Sequence, residues 1–247
     1  MTVATPTRQR DMPAVDVALF REQGFLIFPS LLSDTECQQL CAETDRSEAE
    51  RIMPVRLPHH ANLVTHPDLM GIADAVMGER AYGFHHLHTA RHNAGMKAFP
   101  WHHDYEQSPQ GERVHTMMHF FIYLTGLNGT IGDLLLLPGS HREVLDRYAL
   151  SKLGTRDLSG MLVVDDLPAG SVVAIHSALL HARRAMPGGE SNPRYFADSS
   201  YCQSAGRWPA YKERGDWRAI VALLRTHHAA RGGQRQELFG EDCFYDL

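Results

Sequence analysis

From residue 82 onward the chain is a succession of short β-type runs broken by turn residues, and this limits its fold more than any other feature. The runs cover residues 82–92, 114–124, 133–137, 161–164, 171–176 and 194–201, with Asn128-Gly129, Pro138-Gly139 and Pro168-Ala169-Gly170 as turns. That spacing predicts an antiparallel barrel or sandwich. The N-terminal part differs: 16–23 and 33–46 have helical character around a short apolar stretch at 25–28, with Gly24 and Pro29 as punctuation. Ser33 with Glu36 three residues later is a capping-box pattern. A further helix is expected over 67–77, with Pro67 in its first turn and Gly78 at its stop. Helical periodicity returns over 216–230, where Trp217, Ile220, Leu223 and Leu224 share a face. No internal repeat is visible. A flexible leader over 1–15 and a single domain over 16–247 are expected, mainly β with flanking helices.

Composition narrows the class of function. With 43% hydrophobic and 21% charged residues the chain can bury an ordinary globular core. The net charge of −5 and the lack of a basic block argue against a nucleic-acid binder. Apolar stretches such as 134–137 and 171–175 fall far short of the ~20 residues that span a bilayer. Behind Arg8, Arg10 and Asp11 there is no apolar h-region of a secretory signal. Four cysteines without a Cys-x-x-Cys pair read as free thiols in a reducing compartment, which places the expectation in the cytoplasm. What stands out is 16 histidines, and they raise the question of metal chemistry.

His102 and Asp104 form a His-x-Asp pair just after Pro100. If they lie on a strand, both side chains point to one face, and an imidazole and a carboxylate together supply two ligands of a non-haem ferrous facial triad. Chance alone supplies about one such pair in a chain of this composition. The second, His66 and Asp68, encloses Pro67 at a helix start and is assigned to capping. Downstream, 169–176 reads as a turn and a buried strand, followed by His181 and then Arg194. A third ligand followed by an arginine suits a dicarboxylate bound beside a metal, the guanidinium forking onto the far carboxylate. His176 competes with His181 for the ligand role, although its place at the end of an apolar run equally suits a hydrogen-bonded core histidine.

Several of these segments occur together in a fixed order: Phe20, Gly24, Phe25 and Leu31-Leu32-Ser33; Trp101-His102-His103-Asp104; Asn128-Gly129; Pro138-Gly139-Ser140-His141; and His176 through His181 to Arg194. In that order the chain resembles the phytanoyl-CoA dioxygenase (PhyH-like) family of Fe(II)/2-oxoglutarate-dependent oxygenases, over about residues 17–203. The resemblance implies a double-stranded β-helix, a cupin-like jelly roll with helices outside. It implies Fe(II) held by His102, Asp104 and His181, 2-oxoglutarate and O2 as co-substrates, and Arg194 on the distal 2-oxoglutarate carboxylate. Arg91, eleven residues before the first ligand, would be a further co-substrate contact. After the distal histidine the family usually has Gly and Ser with an Asn shortly beyond, where this chain has Ala182, Arg183 and Ala185-Met186-Pro187. A co-substrate hydroxyl contact is therefore absent or replaced. Asp104 is retained where halogenating relatives carry a small residue, which favours oxygenation.

The implied activity is hydroxylation of an unactivated C–H bond of a small molecule, a specialised metabolite by the habits of the family, with release of succinate and CO2. Two rival readings use the same shell. One is a cupin-like centre on His86 and His88, which alternate with His92 on one face of 82–92 and otherwise read as cavity lining. The other is a non-catalytic jelly-roll binding module. His141 is expected to bond local backbone, and His227 and His228 to complement the last helix's dipole as imidazolium. Substrate choice is expected to lie in the loops 46–66 and 142–160 and in the segment after Gln203.

Overall fold

The computed structural model describes residues 14–93, 95–107, 113–130, 132–185, 193–211 and 216–246. Most of the expected leader lies outside them, as do Met186 and Pro187. In chain order the elements are α1 (Val17–Gln23), β1 (Phe25–Phe28), α2 (Asp34–Glu50), α3 (Pro58–Leu63), α4 (Pro67–Met77), β2 (Tyr82–His92), β3 (Phe99–His102) and β4 (Met117–Tyr123). There follow β5 (Leu127–Asn128), β6 (Leu134–Leu136), β7 (Leu162–Val164), β8 (Asp166–Leu167), β9 (Ser171–His176), β10 (His181–Arg183), β11 (Arg194–Gln203), β12 (Trp208–Pro209), α5 (Trp217–Ala229) and β13 (Phe244–Tyr245).

Nine strands build two antiparallel sheets, ordered β1-β9-β4-β11-β2 and β3-β10-β6-β7. Neighbours distant in sequence pair in both sheets, which is the jelly-roll arrangement that the resemblance implies. Period-two alternation assigns each face. Along β4, Phe121 and Tyr123 point between the sheets, while Phe120 and Ile122 point outward to the helices. Along β9, Val173 and Ile175 face inward, Val172 and Ala174 outward. Leu134 and Leu136 of β6 meet them from the other sheet, with Leu135 turned out beside Trp101 and Leu180. Burying each such side chain stabilises the fold by roughly 1.5–3 kcal/mol.

The helices cover the outer face of the five-stranded sheet. Leu69, Met70, Ile72 and Ala73 of α4 and Val221 and Leu224 of α5 share one core with Phe84 and Tyr201. Ser33 caps α2 through a complete capping box with Glu36, as its spacing predicts. His66 does not cap α4 with its side chain; its Nε2 lies 3.1 Å from Glu36 Oε1 instead. The bend that matters most for the interior is in β2. Phe84 pairs with Tyr201 and His86 with Ser200, leaving His85 as an unpaired bulge residue. This extra residue flips the facing, so Phe84 joins the outer core while His86, His88 and His92 turn towards the space between the sheets.

Candidate metal centre and its cavity

His102 closes β3 and His181 opens β10, and the two are directly opposed across the ladder with ring centroids 4.2 Å apart. Asp104 is reached differently from the sequence-based expectation. The chain leaves the sheet after His102, and Asp104 is fixed by its backbone N–H donating to Ser177 O at 2.7 Å. Sheet alternation is therefore not what brings His102 and Asp104 together. Asp104 Oδ1 lies 3.6 Å from His102 Nε2, and Oδ2 lies 3.2 Å from His181 Nε2. One donor atom from each of the three sits within 4.8 Å of the others.

The hydrogen bonds behind the rings decide what this group can hold. His102 Nδ1–H donates to Pro100 O at 2.8 Å and His181 Nδ1–H to Leu179 O at 3.0 Å. A carbonyl only accepts, so each ring turns an Nε2 lone pair inward. Burial, with His181 beside it, pushes the His102 pKa down to about 3. Burial pushes the Asp104 carboxyl up, but His181 and His102 overcome this and hold it well below the usual range. Two lone pairs and a carboxylate thus converge as acceptors, which is the chemistry that a divalent cation such as Fe(II) satisfies. The carbonyls behind the rings, and Arg147, whose Nη2 donates to Asp104 Oδ1 at 3.3 Å, are orienting partners that the sequence does not name.

The triad lines a cavity of about 360 Å3 together with Phe121, Tyr123, Phe196, Arg183 and Arg194. Arg194 is 3% exposed, and its Nη2 donates to His92 Nδ1 at 2.9 Å. Arg183 donates to the same ring at 3.3 Å and to Lys97 O at 3.2 Å. Burial and both guanidiniums push His92 down to about 3, so it is the neutral acceptor between two cations. Burial, then Arg194, pushes Arg183 itself down to about 10. Among the described residues neither guanidinium is ion-paired to a carboxylate; Asp133, which also lines the cavity, is paired with Arg184 at 2.9 Å instead, so the two guanidiniums are left to attract an anion. Arg91 is not part of it. It lies on the outer face of β2, where Nη1 meets Asp45 Oδ1 at 3.2 Å and the guanidinium covers Tyr195. The co-substrate contact that the resemblance implies for Arg91 is not supported by this placement.

The rival histidines divide. His88 and His92 line the cavity. His86 instead joins His119 and Asp198 in a second buried group. Here His86 Nε2–H and His119 Nδ1–H donate to the Asp198 carboxylate at 3.2 and 2.9 Å, so donors already meet acceptors. Burial opposes the charge on His119, but Asp198 beside it holds its pKa above the usual range. His176 accepts the Ala178 N–H at Nδ1 and stacks on Tyr105, as a core histidine would. His141 bonds Arg21 O, far from it in sequence, rather than local backbone. His228 is buried against Phe239 with Nε2 on Ala61 O, and burial lowers both its pKa and that of His227. The imidazolium role at the helix end is thereby corrected.

Arg183, His119 and Asp198 are the functional candidates that sequence reasoning missed. Asp198 does follow Arg194 and Phe196 at period two, and His119 interrupts an apolar strand. Both signals were available, but their partners are joined only by sheet register.

Residues 46–186, more than half of the chain, match the family model described as phytanoyl-CoA dioxygenase (PhyH). Among curated proteins, the chain is similar to an ectoine dioxygenase of Bordetella bronchiseptica, 30% identical over 161 residues covering 54% of this chain and 51% of that protein. An ectoine dioxygenase of Streptomyces avermitilis is 27% identical over 168 residues, 57% of this chain and 56% of its own. The chain spans about half the length of these curated relatives. Two solved structures share the fold. HygX from Streptomyces hygroscopicus with nickel and 2-oxoglutarate bound has a TM-score of 0.64 at 16% identity, covering 80% of this chain and 91% of its own. The non-heme alpha ketoglutarate dependent carbocyclase SnoK from nogalamycin biosynthesis has a TM-score of 0.61 at 22% identity, covering 76% and 83%.

Proposed function

We propose that this chain, which belongs to the phytanoyl-CoA dioxygenase family, is an Fe(II)/2-oxoglutarate-dependent dioxygenase that hydroxylates an unactivated C–H bond of a small molecule. The observation that carries this is one cavity lined both by a three-acceptor group and by Arg194 and Arg183, neither of which is ion-paired to a carboxylate among the described residues. His102, Asp104 and His181 would hold the iron, their neutral rings and single carboxylate leaving part of its charge and several of its positions open. When bound, the iron with 2-oxoglutarate and O2 supplies the oxidising chemistry: the co-substrate leaves as succinate and CO2, and one oxygen atom enters the C–H bond. Arg194 and Arg183 take the distal carboxylate, which gives the co-substrate a fixed direction along the cavity. Phe121, Phe196 and Tyr123 wall the space between and exclude water.

An anaerobic titration with Fe(II) and 2-oxoglutarate tests the reading through the metal-to-ligand charge-transfer band. Saturation at one equivalent of iron is expected, and Asp104→Ala is expected to lose the band and all succinate formation. Normal succinate formation by Asp104→Ala would reject the assignment. Ectoine, which the names of the curated relatives supply, is the first substrate to try, with a product one oxygen heavier as the readout.

The second group does not share this chemistry. A cupin-like centre on His86 has His119 and Asp198 as neighbours, not His88, and its facing atoms are already joined by hydrogen bonds. Iron content of His86→Ala against His102→Ala separates the two readings, and loss in the latter alone is expected.

A further inference from the structure

Strand register puts a buried carboxylate beside the metal group. Asp198 of β11 pairs with His88 of β2 on one side and with Phe121 of β4 on the other, and all three line the triad's cavity. The Phe121 ring is 5.3 Å from that of His181 and 5.5 Å from that of Phe196, and the Phe196 ring is 6.0 Å from that of His88. Aromatic rings therefore wall the space next to the triad. Arg194 is four residues from Asp198 on the same strand, about 13 Å away at roughly 3.3 Å per residue. Of the three carboxylates among the described lining residues, Asp104 belongs to the metal group and Asp133 is paired with Arg184. Asp198 is the acid that remains.

We infer that Asp198 is the recognition residue for the primary substrate, and that this substrate is a small organic cation, an ammonium or amidinium, whose N–H donates to Asp198 while its charge rests against Phe121 and Phe196. This rests on the oxygenase reading, in which Arg194 and Arg183 take the co-substrate and the row beside the metal is left to the second reactant. The bonding of the carboxylate is the reason. Asp198 is 7% exposed; His119 Nδ1–H reaches its Oδ1 at 2.9 Å and its Oδ2 at 3.0 Å, and His86 Nε2–H reaches Oδ2 at 3.2 Å. Each carboxylate oxygen has two lone-pair directions, so Oδ1, which takes the His119 contact alone, has one left for a ligand. An imidazole has an N–H to donate even when neutral, so neither contact requires a counter-charge. Among the described residues no lysine or arginine pairs with Asp198. A buried carboxylate without a cationic side chain carries a desolvation cost that a bound cation offsets. Phenyl faces within about 6 Å of that cation add to the attraction. Like charges sort the two reactants: the guanidiniums repel the cation, and Asp198 repels the anionic co-substrate. The direction of the carboxylate is set from behind, since Ser200 Oγ lies 2.7 Å from His86 Nδ1 and holds the ring that donates to Oδ2.

The test uses the full chain without oxygen, with half an equivalent of manganese(II) in place of iron and with saturating 2-oxoglutarate so that the two arginines are occupied. Propylammonium and acetamidinium are the probes, propionate and propanol the controls. Paramagnetic relaxation of their protons by the manganese is the readout, because it reports only molecules bound close to the metal. Asp198→Asn keeps the shape of the side chain and one acceptor oxygen but removes the charge. Expected are relaxation of both cations and of neither control, cation affinity at least tenfold weaker in Asp198→Asn, and 2-oxoglutarate affinity in that variant within about threefold of wild type. Equal cation binding by wild type and Asp198→Asn overturns the proposal. So does relaxation of propionate or propanol as strong as that of the cations, or relaxation of neither cation by the wild type. If Asp198→Asn does not fold, the comparison of cations with controls on the wild type decides alone: a preference for the cations supports the proposal and its absence overturns it. Failure of the wild type to bind 2-oxoglutarate is a different result, because it removes the oxygenase reading itself.

Discussion

Arg183 and Arg194 hold like charges around one neutral histidine in a buried cavity, an arrangement that is unfavourable until an anion arrives. This gives opposite signs to two measurements on one variant. Arg183→Met is expected to raise the melting temperature of the ligand-free protein and to weaken 2-oxoglutarate binding about tenfold, measured by calorimetry on the zinc-loaded chain. A lower melting temperature with unchanged 2-oxoglutarate affinity would make Arg183 a structural residue. Arg194→Lys is expected to weaken the same binding by about tenfold or more, since a point charge does not reproduce the planar fork. His102, Asp104, His181 and Arg194 could be singled out from sequence only through the ordered motifs that carry the family resemblance, because one His-x-Asp pair is expected by chance and His176 competes with His181. Arg183 could be noticed only as a departure from the family's usual residues. The pairing of His119 with Asp198, 79 positions apart, depends on register between β4 and β11 and is invisible in any local pattern.

Elements repeat the same division. The strands Tyr82–His92 and Ser171–His176 and the helix Pro67–Met77 coincide with their sequence-predicted bounds because long apolar periodicity and Gly or Pro punctuation mark them. β3 and β10 were not anticipated; they are four and three residues long and spend their positions on Pro100, His102, His181 and Arg183 rather than on alternating apolar residues. Function thus removed the signal by which a strand is read. Capping shows the converse, where a local pattern suffices. Ser33→Ala removes the acceptor for Glu36 N–H and is expected to cost about 1 kcal/mol, a fall in melting temperature of roughly 2–4 °C. Gly170→Ala is expected to cost more, about 2 kcal/mol or above. Gly170 has φ +75°, and an added Cβ would meet the Leu32 carbonyl and Cys37 Sγ, neither of which can move without displacing the approach to α2. Equilibrium urea unfolding checks both, and a Gly170→Ala midpoint equal to wild type would refute the second.

At the scale of the whole molecule, the many buried histidine rings make stability depend on acidity. His176 and His92 are pushed down to about 3, mainly by burial, whereas in the unfolded chain each titrates near 6.5. As pH falls below 6.5 the unfolded chain takes up protons that the folded chain refuses, so stability declines down to about pH 3. Each ring contributes a loss of about 2 kcal/mol between pH 7 and pH 5. Carboxyls held low in the fold, Asp198 beside His119 and His86 and Glu43 beside His60, add to the decline at the acid end of that window. His119 acts in the opposite sense, because its pKa is raised; its contribution is full below 6.5 and disappears as pH rises through the folded value. His176 is the ring to test, being outside the three-residue metal group and outside the lining of its cavity, and neutral because its Nδ1 accepts the Ala178 N–H at 3.1 Å. His176→Phe loses that acceptor and is expected to be less stable at pH 7, so the quantity to compare is the change between pH 7 and pH 5 in urea unfolding. That change is expected to be about 2 kcal/mol smaller in the variant, because phenylalanine binds no proton in either state. An identical change in both proteins would mean that His176 accepts its proton inside the fold, and that the buried rings do not set the acid limit of this molecule.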